Sequence, residues 1–166
     1  MMNCSMPNPY PPIRVKKKNP RYAQILARSF AGQYSELTAV SNYIYQSIIT
    51  SDEFRSAADT FECIAICEMR HFDMLGKLIL LLGDEPRLRV RIPGNRSRYW
   101  SGSYTDYETE IVKMIRNDIR GEEDAIKDYR SAVNKIDDDW IVDVLERIIL
   151  DEKHHINMLE SLINNR

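Results

Sequence analysis

The chain has little of what interrupts a helix. Its seven prolines end at Pro93, none lies between Arg21 and Glu85, and glycine occurs six times in 166 residues. Proline removes a backbone donor and clashes inside a helix, so long proline-free stretches suit long helices. Long apolar runs are also missing. The longest, Leu78 to Leu82, is far too short to cross a bilayer. Charge is nearly balanced, with 23 Lys and Arg against 25 Asp and Glu, and a net charge of -2 points to neither nucleic acid nor an anionic membrane. Met1 to Pro12 has neither the charged nor the apolar segment of a secretory leader. The three cysteines, Cys4, Cys63 and Cys67, make no disulfide framework, and we read from them a reducing compartment, hence the cytoplasm.

The length suits one domain. Residues 1–19 read as an N-terminal arm with four early prolines and a run of basic residues, lying over the surface or partly mobile, a solvated leader rather than a nucleic-acid tail. Residues 20–166 read as the helical domain. Asn19 and Pro20 are the cap and first-turn proline of a first helix, whose apolar stripe from Ile25 to Ile48 predicts one rod of about thirty residues. Thr50 and Glu53 form a capping-box signature for a second helix from about Asp52 to Leu82, stopped by Gly83. Thr105 and Glu108 give the same signature for a third, running to about Lys135, and Asp137 to Asp139 cap a fourth from about Trp140 to Ile163. Between the second and third, residues 84–103 carry Pro86, Pro93, Gly94, Gly102 and five arginines. There Leu88, Val90 and Ile92 alternate with arginine as in a short strand. We read a solvated crossover anchored by Tyr99 and Trp100 rather than an anion-binding patch.

Histidine is the scarcest informative residue. Of three, His71 and His155 each follow a glutamate by three positions, Glu68 and Glu152, which puts each pair on one helix face. The halves repeat. Glu36 is followed by Ala39 and Tyr43, and Glu122 by Ala125 and Tyr129, at the same spacings. Each half is thus a helical hairpin with acids at comparable depth, and two hairpins make an all-α antiparallel four-helix bundle with a long crossover between helices 2 and 3. The first and third helices offer one Glu each, the second and fourth a Glu and a His. Four carboxylates and two imidazoles suffice for two metal ions. Mixed nitrogen and oxygen ligation suits iron or manganese, with zinc chemically open. Buried unpaired, the four glutamates would cost many kcal/mol, a cost that two divalent cations offset.

On Glu36, Glu68, His71, Glu122, Glu152 and His155 the chain resembles the ferritin-like dimetal carboxylate proteins, over about residues 21–163. Rubrerythrin and bacterioferritin are nearest, and manganese catalase is a relative. The resemblance implies that Glu68 and Glu152 bridge or share the metals, and that Glu36 and Glu122 are terminal carboxylates. It implies that Asp151 holds His71. Where an equivalent Asp often stands to hold the other histidine, this chain has Cys67, which leaves His155 to another group or a weaker hold. Tyr43 and Tyr129 either hydrogen-bond site carboxylates, pass electrons or simply pack. His154 points away from the site. The activity implied is a di-iron oxidoreductase acting on hydrogen peroxide or dioxygen, of peroxidase or ferroxidase type. The Cys-x-x-Cys pairs of rubrerythrin are absent, so electrons would come from a separate donor protein. Ala125 replaces the extra rubrerythrin glutamate. Bundles of this type often pair, so a homodimer is expected, with neither nucleic acid nor membrane as partner. Two alternatives stand beside this reading: a manganese catalase-like dismutation of peroxide by two manganese ions without a donor, and a non-catalytic structural or iron-storage bundle.

Overall fold

Asn19 behaves as its place before Pro20 predicts. Its side chain accepts from the amides of Arg21 and Tyr22 at 3.1 and 3.3 Å and opens α1 (Pro20–Ala31). The computed structural model describes residues 3–94 and 96–164, and continues with α2 (Glu36–Thr50), α3 (Arg55–Leu81), a hairpin of β1 (Arg89–Ile92) and β2 (Arg96–Tyr99), α4 (Ile111–Val133) and α5 (Asp139–Asn164). The outermost positions of the two expected spans, residues 1, 2, 165 and 166, lie outside the described residues. The architecture is all-α and ferritin-like. Segments α1 and α2 together make the first leg of a four-helix bundle, α3 to α5 make the other three, and the long crossover joins α3 to α4.

The single first rod is corrected to two segments. Gly32 ends α1 in extended geometry (φ −78°, ψ −173°), and Ser35 restarts the helix by accepting from the Thr38 amide at 3.4 Å. Apolar spacing in the sequence runs on across the break, which is why periodicity alone joins the two pieces. The far end of that stripe is corrected too: Ile44 and Ile48 are exposed, and α2 buries Glu36, Tyr43, Gln46 and Thr50 instead. The break sets Glu36 in the first turn of α2, where the helix dipole favours a carboxylate.

Both capping-box readings also fail. Thr50 spends its hydroxyl on the Gln46 carbonyl at 2.7 Å, inside α2, so α3 starts later, at Arg55. After a turn of 3₁₀ helix at Gly102–Tyr104, Asp106 caps the Glu108 amide at 3.0 Å, and α4 waits for Glu110, whose carboxylate caps Val112 and Lys113 at 2.9 and 3.0 Å. The Gly83 stop holds, at φ +90°, a conformation open to glycine. In the crossover β1 and β2 pair antiparallel, Val90 opposite Arg98. Trp100 anchors the segment by donating to Thr38 Oγ1 at 3.0 Å, whereas Tyr99 stays exposed.

Apolar packing falls into two clusters. One contains Leu26, Phe30, Leu75, Leu78, Tyr129, Leu145 and Ile148, and the other Tyr43, Phe61, Ile64, Met114, Ile115 and Leu159. Along α3, Glu68 and His71 fall between Ile64 and Leu75. Along α5, Glu152 and His155 fall between Ile148 and Leu159. A polar layer is therefore sandwiched mid-bundle. The arm lies over the bundle and is tied to it rather than merely solvated. Arg147 donates to the Asn8 and Met6 carbonyls at 2.8 and 2.7 Å, and the Lys16 amide donates to Asp138 at 2.7 Å. Cys4 and Cys63 are joined in a disulfide, correcting the expectation that the cysteines stay apart. With that pairing the ground for reading a reducing compartment falls. No helix of the described residues is long and apolar enough to cross a membrane.

Candidate metal centre

Helical spacing of three carries each Glu–His pair to one face, and the facing helices complete the layer. Glu36, Glu68, His71, Glu122, Glu152 and His155 are all buried, none more than 4% exposed. Glu68 and Glu152 each face both imidazoles. Glu68 sets Oε2 at 2.9 Å from His71 Nδ1 and Oε1 at 3.0 Å from His155 Nδ1. Glu152 sets Oε1 at 3.2 Å from His71 Nδ1 and Oε2 at 3.0 Å from His155 Nδ1. Glu36 reaches only His71 and Glu122 only His155, each at 3.7 Å from Nδ1. The layer thus divides into two clusters, Glu36–Glu68–His71–Glu152 and Glu68–Glu122–Glu152–His155, each with ligand atoms close enough to hold an ion.

The electrostatics are those of a buried layer crowded with carboxylates. Burial, with Glu68 and Glu152 beside them, pushes the Glu36 and Glu122 carboxyls well above the usual range. Burial opposes protonation of His71 and His155, but the surrounding carboxylates lift both well above an ordinary imidazole. A single Nδ1 hydrogen cannot satisfy the several oxygens around it, and Glu68 Oε1 and Glu152 Oε1 have no hydrogen-bond partner among the described residues. Two imidazole nitrogens and four carboxylates around two such orphaned oxygens fit a pair of divalent cations.

Each outer ring nitrogen has its own acceptor. His71 Nε2 lies 3.0 Å from Asp151 Oδ2, with Cys67 Sγ at 3.5 Å. His155 Nε2 lies 3.0 Å from the Cys4 carbonyl oxygen. Asp151 is in turn gripped by the Met6 amide at 2.7 Å, the Tyr10 hydroxyl at 2.5 Å and Arg147 at 2.7 Å. Burial would raise Asp151, but these donors and His71 hold it far below the usual carboxylate value, while burial and Asp151 push Tyr10 up to about 12. Burial would also raise the Cys67 thiol, yet hydrogen bonding with His155 and His71 brings it below its ordinary value. Tyr43 and Tyr129 reach across the bundle: Tyr43 donates to Glu122, and Tyr129 to Glu36. His154 sits off the layer, against the Asn3 carbonyl at 3.0 Å.

Sequence reasoning missed Cys4, Tyr10 and Arg147. Arg147 carried a signal, since it lies four before Asp151 on the inward stripe of α5, where an arginine needs a reason. Cys4 and Tyr10 carried none, because they act across 151 and 141 residues of chain. A cavity of about 430 Å3 reaches the layer between α2 and α4, lined by Glu36, Glu68, Glu122, Glu152, Tyr43 and Tyr129 among others.

The family model described as "Ferritin: Ferritin-like domain" matches residues 33–166. The chain is 21% identical to a probable manganese catalase of Clostridium acetobutylicum over 169 residues, 92% of this chain and 74% of that protein. It is similar in structure to KatB, a manganese catalase from Anabaena PCC7120, with a TM-score of 0.84 and 24% identity over 96% of this chain and 78% of that one. It is also similar to the Mycobacterium tuberculosis bacterioferritin BfrA, with a TM-score of 0.73 and 22% identity over 90% of this chain and 87% of that one. At these identities the structural likeness is one of fold.

Proposed function

The chain belongs to the ferritin-like domain family, and from that premise we propose that it is a dimetal enzyme dismuting hydrogen peroxide in the manner of a manganese catalase. The observation that carries the reading is the double sharing of Glu68 and Glu152, each within 3.2 Å of both imidazole Nδ1 atoms. In this reading Glu36 and His71 complete one ion's ligands, and Glu122 and His155 the other's. Bound there, a manganese pair would supply the two-electron change that converts two molecules of hydrogen peroxide into one of dioxygen and two of water. The protein's part is to keep both imidazole lone pairs inward, to hold Glu36 and Glu122 through the two tyrosines, and to admit a small substrate along the cavity while burial excludes bulk water.

The di-iron peroxidase or ferroxidase reading now stands second. It has the bacterioferritin likeness behind it, at a lower TM-score than the manganese catalase, and it needs an outside electron donor. Protein reconstituted anaerobically with Mn(II), and separately with Fe(II), separates the two. Donor-free peroxide loss with manganese supports the proposal. Loss only with iron and an added reductant would move the assignment to the di-iron peroxidase, and no turnover in protein holding two ions would refute both.

A further inference from the structure

The outer nitrogens of the two histidines are held by different means. Asp151 belongs to α5, so the acceptor for His71 is part of the bundle itself. The oxygen acceptor for His155 is the Cys4 carbonyl, which belongs to the arm, and the bundle offers this histidine only the Cys67 thiol, a weaker partner, beside it. A carbonyl only accepts, so His155 gives it a hydrogen from Nε2, which turns Nδ1 toward Glu68, Glu122 and Glu152, where its lone pair would serve an ion that displaces the Nδ1 hydrogen. The covalent hold on that carbonyl is the bond from Cys4 to Cys63, on α3 one turn before Cys67, and two residues on Met6 is tied to Asp151 and Arg147, each at 2.7 Å. Cys4 is 4% exposed, and the next residue adds a weaker tie, Ser5 Oγ to Cys67 Sγ at 3.2 Å.

We propose that the N-terminal arm is a positioning element of the metal centre, and that the Cys4–Cys63 bridge makes its hold on His155 redox-sensitive. The inference rests on the dimetal reading and deepens it. Reduction by a dithiol delivers two electrons and two protons to the Cys4–Cys63 bond, which opens to two thiols while the dithiol closes to its own disulfide. The His155 side then loses the clamp on its acceptor. The His71 side keeps Asp151 as its acceptor: the arm supplies two of that carboxylate's donors, Met6 and Tyr10, but Arg147 grips it from within α5. The consequence is asymmetric: one of two ions is loosened.

The test is an anaerobic Mn(II) titration of three samples, following the free-ion paramagnetic resonance signal: oxidised wild-type protein, the same protein reduced with a dithiol that is then removed, and Cys63→Ser. Thiol counts accompany each. The oxidised protein should show one thiol, Cys67, and bind two ions tightly. Reduced protein and Cys63→Ser should keep one tight ion and bind the second about 10–100-fold more weakly. Reoxidation should restore the second ion in wild-type protein and not in the variant. Unchanged affinity for both ions in reduced protein with three counted thiols would overturn the inference and leave the dimetal reading standing. So would three thiols in the oxidised protein. General loss of helical signal on reduction would overturn it too, by making the bridge a support of the whole fold. Failure of oxidised wild-type protein to bind a metal pair would instead refute the dimetal reading itself.

Discussion

Tyr43 on α2 donates its hydroxyl hydrogen to Glu122 on α4, and the same bond is repeated in the opposite sense from Tyr129 to Glu36. Each carboxylate that belongs to only one cluster is therefore oriented by a phenol from the other half of the bundle. Tyr43→Phe keeps the ring and its packing but leaves Glu122 without this donor. The fold should lose about 1 kcal/mol. Affinity for one ion should fall about 10–100-fold. Thermal melts and a metal titration on the same samples check both. Unchanged metal binding would show that the phenol merely packs.

Glu68 belongs to both clusters and His155 to one. Glu68→Ala should therefore abolish tight binding of both ions, and His155→Ala of only one. Saturating Mn(II) at about a hundred times its dissociation constant adds about 2.7 kcal/mol of stability for each ion bound. Chelation should accordingly lower the wild-type melting temperature markedly, the His155→Ala temperature by about half as much, and that of Glu68→Ala hardly at all. Equal shifts in all three proteins would show that the ligands lie elsewhere.

Asp118, one turn before Glu122 on α4 and lining the same cavity, gives a pH dependence of its own. Its Oδ1 accepts from Gln46 at 2.9 Å, but Oδ2 has no hydrogen-bond partner among the described residues. Burial raises its pKa from 3.8 to about 7, against the Gln46 hydrogen bond and with a small push from Asp106. An acid whose folded-state value is raised binds its proton more tightly in the fold. Its stabilising contribution is complete below the unfolded value and is lost as pH rises through about 7. Asp118→Asn should remove that dependence, leaving stability less pH-sensitive between 4 and 7 and raising it at pH 8. At about 1.4 kcal/mol per unit the gain is at most about 4 kcal/mol. Denaturant titrations of metal-free protein at pH 4 and pH 8 measure it. A variant no more stable than wild type at pH 8 would show that the charge is accommodated.

The break between α1 and α2 is a requirement of backbone geometry. A Cβ at Gly32 would sit 2.5 Å from the Arg28 carbonyl oxygen. Gly32→Ala should cost about 1–3 kcal/mol, as overpacking does. It should also disturb Glu36, which the restart at Ser35 sets in the first turn of α2. A melt unchanged within error would contradict this.

These contrasts show which features the sequence could disclose. Glu36, Glu68, His71, Glu122, Glu152 and His155 could be singled out because helical periodicity is local, and a spacing of three is enough to put Glu68 beside His71. Ligand-bearing faces on four amphipathic helices then have one economical way to meet. The break at Gly32 stayed hidden because Ile44 and Ile48 keep a helical spacing from Phe30 and Leu37, although the restarted helix turns those two isoleucines outward and buries Tyr43 and Gln46 instead. The helix starts were misplaced because a threonine hydroxyl has two uses. Thr50 turned back onto its own helix, leaving Glu53 no box to complete. The arm was illegible for another reason. Cys4, Met6 and Tyr10 act through a backbone carbonyl, a backbone amide and a phenol that reach α5 from the far end of the chain, and no local pattern encodes such contacts.

The central claim is that these two clusters hold a metal pair that dismutes peroxide. Oxygen evolution from a measured pulse of hydrogen peroxide, with manganese-loaded protein and no electron donor, tests it most directly. The account predicts sustained turnover with one dioxygen released for every two peroxides consumed, lost in Glu68→Ala. Peroxide consumption without oxygen, or no consumption by protein carrying two manganese ions, would contradict it.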